Sequence, residues 1–138
     1  MALLCMAAIA WAQSSVRQEV QGTAGGSTRA TQWGVTETGP CMGWVPSSPQ
    51  HRLRLEEDAQ VTIRVRSHTD TTLVLHGRNE NGTTTLCNDD DDGSNPGMAR
   101  RLSAGSYDLY IGTWDAGDRV PFTMSIDIAA HPPGSNAR

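Results

Sequence analysis

The sequence predicts an all-β chain, an antiparallel β-sandwich of jelly-roll-like form built from seven to eight short strands. Three observations carry this. Apolar residues recur with a period of two, as in Val61, Ile63 and Val65 set against Thr62, Arg64 and Arg66, which marks strands with one buried face. No stretch has the 3.6-residue period of a helix. Turn formers interrupt the chain about every eight to twelve residues, as in a sandwich and unlike a chain of βαβ units.

The elements follow in order. Residues 1–12 form an uncharged apolar run, Met1 to Ala12. It is too short to span a bilayer but has the size of a signal-peptide core. Ala10 and Ala12 supply small residues before Gln13, although no basic residues precede the run. The expectation is therefore an exported chain with no membrane association once the signal is removed. Residues 13–38 are rich in Gln, Ser, Thr and Gly, with Gly22 to Thr28 reading as a linker, so this part is expected to be a flexible segment. Within it, Trp33 and Val35 mark a short strand or lid.

Residues 39–130 are the predicted sandwich domain. Cys41 to Val45 is a short extended piece and Pro46 to Pro49 a turn. Leu53 and Leu55 alternate with arginines, then Val61 to Val65 forms the clearest strand. Thr71 to His76 is β-branched and apolar. Gly77 to Gly82 reads as a hairpin turn and Thr83 to Cys87 as the returning strand. Met98 to Leu102, then Tyr107, Leu109 and Ile111, then Phe122, Met124, Ile126 and Ile128 supply the remaining strands. Residues 131–138 read as a disordered tail.

With 138 residues, 37% of them hydrophobic, the chain suits one small domain. The formal charge is −4, and four of the 15 acidic residues sit in a single loop. Such a balance argues against nucleic acid as a partner. If Cys5 leaves with the signal, Cys41 and Cys87 remain, and an even pair in an exported chain points to one disulfide. Closing a loop of that length stabilises a domain by roughly 3–4 kcal/mol. Two free buried thiols are the alternative. Scattered cysteines and histidines show no metal-ligand spacing.

The stretch with the most chemistry is Asn88, Asp89, Asp90, Asp91, Asp92 and Gly93. Adjacent carboxylates repel, so the fold must solvate them, pair them or place a cation among them. Asn88, Asp90 and Asp92 alternate before a glycine and, with Asp89, form a candidate calcium loop of hard oxygen donors. An EF-hand is excluded, because its twelfth position falls on Ala99 and no helices flank it. The competing reading is a solvated acidic turn. Trp114 and Tyr110 are the aromatic residues suited to ligand contact, while Tyr107 and Trp44 are assigned to packing. Arg52, Arg54, Arg64 and Arg66 are expected outward on adjacent strands, most simply as protection against edge association. No nucleophile elbow, histidine pair or phosphate loop appears, so an enzyme is not expected.

Asp70-Thr71-Thr72-Leu73, Asn88-Asp89-Asp90 and Ala104-Gly105-Ser106-Tyr107 occur in that order. Together they resemble the bacterial pre-peptidase C-terminal domain family, over roughly Gly39 to Ala130. The resemblance implies a secreted β-sandwich that is appended to extracellular hydrolases and is not itself catalytic. Some relatives in bacterial collagenases bind calcium and collagen. The family motif also brings Asp70 before a neighbouring strand and adds it to the candidate calcium ligands. The expected role is an accessory domain that assists a secreted hydrolase or holds an extracellular polymer. A stand-alone lectin-like module binding carbohydrate or protein is the alternative.

Overall fold

Period-two alternation resolves into two facing antiparallel sheets in the computed structural model, which describes residues 15–91 and 93–130. The strands are β1 (Ser15–Ala24), β2 (Thr28–Arg29), β3 (Val35–Thr36), β4 (Gly39–Pro40), β5 (Trp44–Val45) and β6 (His51–Leu55). They continue as β7 (Ala59–Arg66), β8 (Thr71–Asn79), β9 (Gly82–Asn88), β10 (Gly97–Leu102), β11 (Gly105–Thr113) and β12 (Val120–Ala130). One sheet has the order β1-β12-β7-β10. The other runs β2-β5-β11-β8-β9, with β6 lying beside β11, and β3-β4 form a separate small hairpin. The predicted all-β antiparallel sandwich is thus the observed fold. The signal-like run, the tail and Asp92 lie outside the described residues.

The core lies between the sheets, where alternate residues of the long strands meet. Val61, Ile63 and Val65 of β7 and Met124 and Ile126 of β12 face Leu73 and Leu75 of β8 and Tyr107, Leu109 and Ile111 of β11. Each such side chain contributes roughly 1.5–3 kcal/mol by leaving water. Tyr107 is buried whole because its hydroxyl is satisfied. It donates to the Ser103 carbonyl at 2.6 Å and accepts from Asn79 Nδ2 at 2.9 Å.

A second, smaller core covers the opposite face of the six-stranded sheet. Val74 and Cys87 point outward there and pack under Ala30, Cys41 and Val45, with Trp33 and Tyr110 against them. Residues 28–45 therefore form a partial third layer. The Cys41–Cys87 disulfide, with Cα atoms 5.1 Å apart, joins this layer to β9.

Three expectations are corrected. Residues 15–38 are not a linker: β1 pairs with β12 along its whole length, and the following residues build the covering layer, so the sandwich begins at Ser15 among the described residues. Gly22 is a packing residue, since a β-carbon there would lie 3.0 Å from the Phe122 ring. The hairpin joining β8 and β9 turns on Glu80 and Asn81 alone. Gly77 belongs to β8, where a β-carbon would come within 2.6 Å of the Tyr107 Cα on the next strand. Finally, Arg52 and Arg54 do not neighbour Arg64 and Arg66, because the chain crosses between sheets from β6 to β7. Arg52 instead pairs with Asp108 across the β6–β11 ladder at 2.8 Å.

Candidate recognition cleft at the acidic turn

The acidic loop leaves the sandwich at the end of β9 and is held at both ends by one side chain. The Asn88 Oδ1 accepts the Asp90 N–H at 3.2 Å and the Gly97 N–H at 3.0 Å, while its Nδ2 donates to the Thr38 carbonyl at 3.4 Å. This is the local hydrogen bonding for which asparagine is favoured at turns. Asn88 therefore shapes the loop, and its oxygen is engaged with backbone rather than turned toward Asp89 and Asp90. Asn95 performs the corresponding task farther along, its Oδ1 accepting the Ser67 N–H at 3.1 Å. The Pro96 carbonyl accepts the Val65 N–H at 3.0 Å. These bonds draw the acidic loop against the connection from β7 to β8, which carries Asp70.

Asp70, Asp89 and Asp90 consequently face one cleft of about 320 Å3, together with Gly93, Ser94 and Trp114. Trp114 reaches it because Thr113, at the end of β11, pairs with Thr71 beside Asp70. The Thr113 hydroxyl donates to the Asp115 carbonyl at 3.0 Å, turning the chain sharply. Trp114 is left 45% exposed. Burial raises the Asp89 carboxyl above the usual aspartate range, and the neighbouring charges of Asp90 and then Asp70 raise it further. Desolvation and like charges act in the same direction on a carboxyl group.

Tyr110 does not share this cleft. It packs against Trp33, with ring centroids 5.2 Å apart, in the covering layer. Burial and the Asp108 charge raise its phenol, and Arg52 offsets this in part. Asp92 lies outside the described residues. Among the described residues no group of three or more His, Cys, Asp or Glu gathers closely enough to hold a metal ion. Asp70, Asp89 and Asp90 border the cleft without converging on one point. The residue the sequence reasoning missed is Ser94, a hydroxyl on the rim.

No protein-family model matches the chain, and no curated protein matches it. The cleft is a polar opening beside one large aromatic side chain. It combines an exposed indole face, carboxylate acceptors and a hydroxyl, and its volume is at the small end of ligand sites.

Proposed function

We propose that this chain is an exported, non-catalytic β-sandwich module that binds an extracellular polymer, carbohydrate or protein, through the cleft at the acidic turn. The observation that carries the reading is the placement of exposed Trp114 on the same cleft as Asp70, Asp89 and Asp90. An indole face stacks on a sugar ring or receives a cationic side chain, and the carboxylates accept hydroxyl or ammonium protons. The disulfide supports export, because such bonds persist in oxidising compartments. No helix of the described residues is long and apolar enough to cross a membrane. The resemblance to pre-peptidase C-terminal domains supports a module that serves a secreted hydrolase by holding it on its substrate. Of the two roles open to the acidic loop, we propose the solvated rim of a binding cleft.

The test is retention of the mature protein on immobilised chitin, xylan and gelatin, compared with Trp114→Ala. Loss of the stacking face is expected to weaken retention on the recognised polymer about tenfold. Trp114 lies outside the core, so the variant should melt with the parent. Equal retention of the two proteins on every matrix overturns the assignment.

A further inference from the structure

The covering layer also bears on the sandwich's exposed edge. Strand β9 is the last strand of its sheet, as β10 is of the other. Edge strands present unpaired backbone groups, and proteins blunt them with charges, bulges or a cover. At Cys87 the cover is the β3–β4 hairpin. The Cys87 N–H donates to Thr36 Oγ1 at 3.0 Å, and the Cys87 carbonyl accepts from Thr38 Oγ1 at 2.7 Å. Two threonine hydroxyls thus occupy the place of a neighbouring strand. The β8–β9 register is unbroken from Asn88 to Gly82, so backbone groups alternate in direction. Thr85 and Thr83 must then point their N–H and C=O outward as Cys87 does. No described residue hydrogen-bonds to those groups.

Those groups open onto a groove of about 480 Å3 between the two sheet edges, bordered by Trp33, Val35, Thr83, Thr85, Arg100 and Leu102 among others. Three further features shape its chemistry. Gly82 to Leu86 carries no charge, proline or bulge, whereas the edges β1 and β10 carry Arg17, Glu19, Arg100 and Arg101. Val35, on the hairpin rim, is 82% exposed. Arg100 shares its face of β10 with buried Met98 and Leu102, so it projects across the groove mouth, where it pairs with Glu37 of the hairpin. A charged side chain turned inward at an edge keeps the sheet from pairing freely, and here a carboxylate can meet it.

We infer that this groove receives an extended peptide bearing a carboxylate, which adds as a strand to β9. Its backbone takes the outward groups of Thr83 and Thr85, continuing the row that Thr36 and Thr38 begin at Cys87. The residue opposite Thr84 points inward, as Thr84 does, and its carboxylate replaces Glu37 at Arg100. The residue opposite Leu86 covers Leu86 and Leu102 with an apolar side chain. A groove admits one slender strand more readily than the edge of a second sandwich. This site is separate from the acidic cleft and does not rest on the reading of that cleft.

The probe is the acetylated, amidated pentapeptide Val-Thr-Glu-Thr-Val, followed by amide NMR of the full mature chain. Saturable shifts and slowed exchange at the Thr83 and Thr85 amides are expected. N-methylation of both peptide threonines should weaken binding at least about tenfold. Arg100→Gln should weaken the Glu peptide but not its Gln analogue, and Glu37→Gln should strengthen the Glu peptide by freeing Arg100. Equal binding of the N-methylated peptide overturns the inference, as does the absence of saturable shifts. Shifts confined to the surroundings of Trp114 also overturn it. Chitotriose moving the Thr83 and Thr85 amides where the peptide does not would make the groove a sugar site. Concentration-dependent shifts without peptide would make a second copy the occupant.

Discussion

Asp89 shows how one side chain reports on its surroundings. Its carboxyl is raised by partial burial first, then by Asp90 and Asp70. A folded-state value above the unfolded one means that the native state binds the proton more tightly. Stability then falls as pH rises from the ordinary aspartate value through the raised one, and the penalty is full at neutral pH. Asp89→Asn removes the charge and keeps the shape. At neutral pH it is expected to raise the melting temperature by about 1–3 °C, the scale of a few tenths of a kcal/mol for a partly exposed charge. The gain should vanish as pH falls below the ordinary aspartate range. Melting curves followed by circular dichroism across that range check it, and a variant less stable at neutral pH contradicts the account of the cleft. Arg52 shows the opposite situation: an exposed hydrogen bond to Asp108, followed by that group's charge, raises its guanidinium further above an already high value, with no consequence near neutral pH.

Among the elements, the covering layer over residues 28–45 is the one whose hold is most specific. It buries only a handful of apolar side chains, and the Cys41–Cys87 bond closes a separation of 46 residues. Replacing both cysteines by serine should cost roughly 3–4 kcal/mol in the chain-entropy account. That corresponds to a melting temperature lower by about 10–20 °C for a domain of this size. Trp33, packed on Tyr110 and His76, should become wet before the sandwich core opens, seen as a red shift in fluorescence ahead of the main transition. Coincident transitions in both proteins would show that the layer needs no covalent anchor. The strands with strict alternation, β7, β11 and β12, were legible because each buries one face. Strand β1 was not, because it is a polar edge strand. Its inward residues are little more than Val20 and Ala24, and pairing with β12 holds it. The acidic turn was equally plain in the sequence. Its meeting with Trp114 was not, since that depends on Thr113 pairing with Thr71, a contact distant in the chain that no local pattern encodes.

At the scale of the whole molecule, the net charge of −4 is unevenly spread, with the aspartates of one turn gathered at one end of the sandwich. A calcium ion and a solvated rim make different demands on that end. Calcium requires six to eight oxygens around a point, whereas the described carboxylates border a cleft and the Asn88 oxygen is taken by two backbone N–H groups. A rim of repelling charges instead responds to any screening ion. Thermal unfolding in millimolar calcium and in chelator at matched ionic strength should therefore coincide within about 1 °C. Added sodium chloride should raise the midpoint of the parent more than that of Asp90→Asn, because screening relieves repulsion that the variant lacks. A bound ion would behave otherwise. At about a hundred times its dissociation constant it would contribute roughly 2.7 kcal/mol, a rise of about 10 °C in a domain of this size. A calcium-specific rise of that order, absent in Asp90→Asn and unmatched by sodium, would convert the turn from a rim into a metal site. The carboxylates now assigned to ligand contact would then be structural.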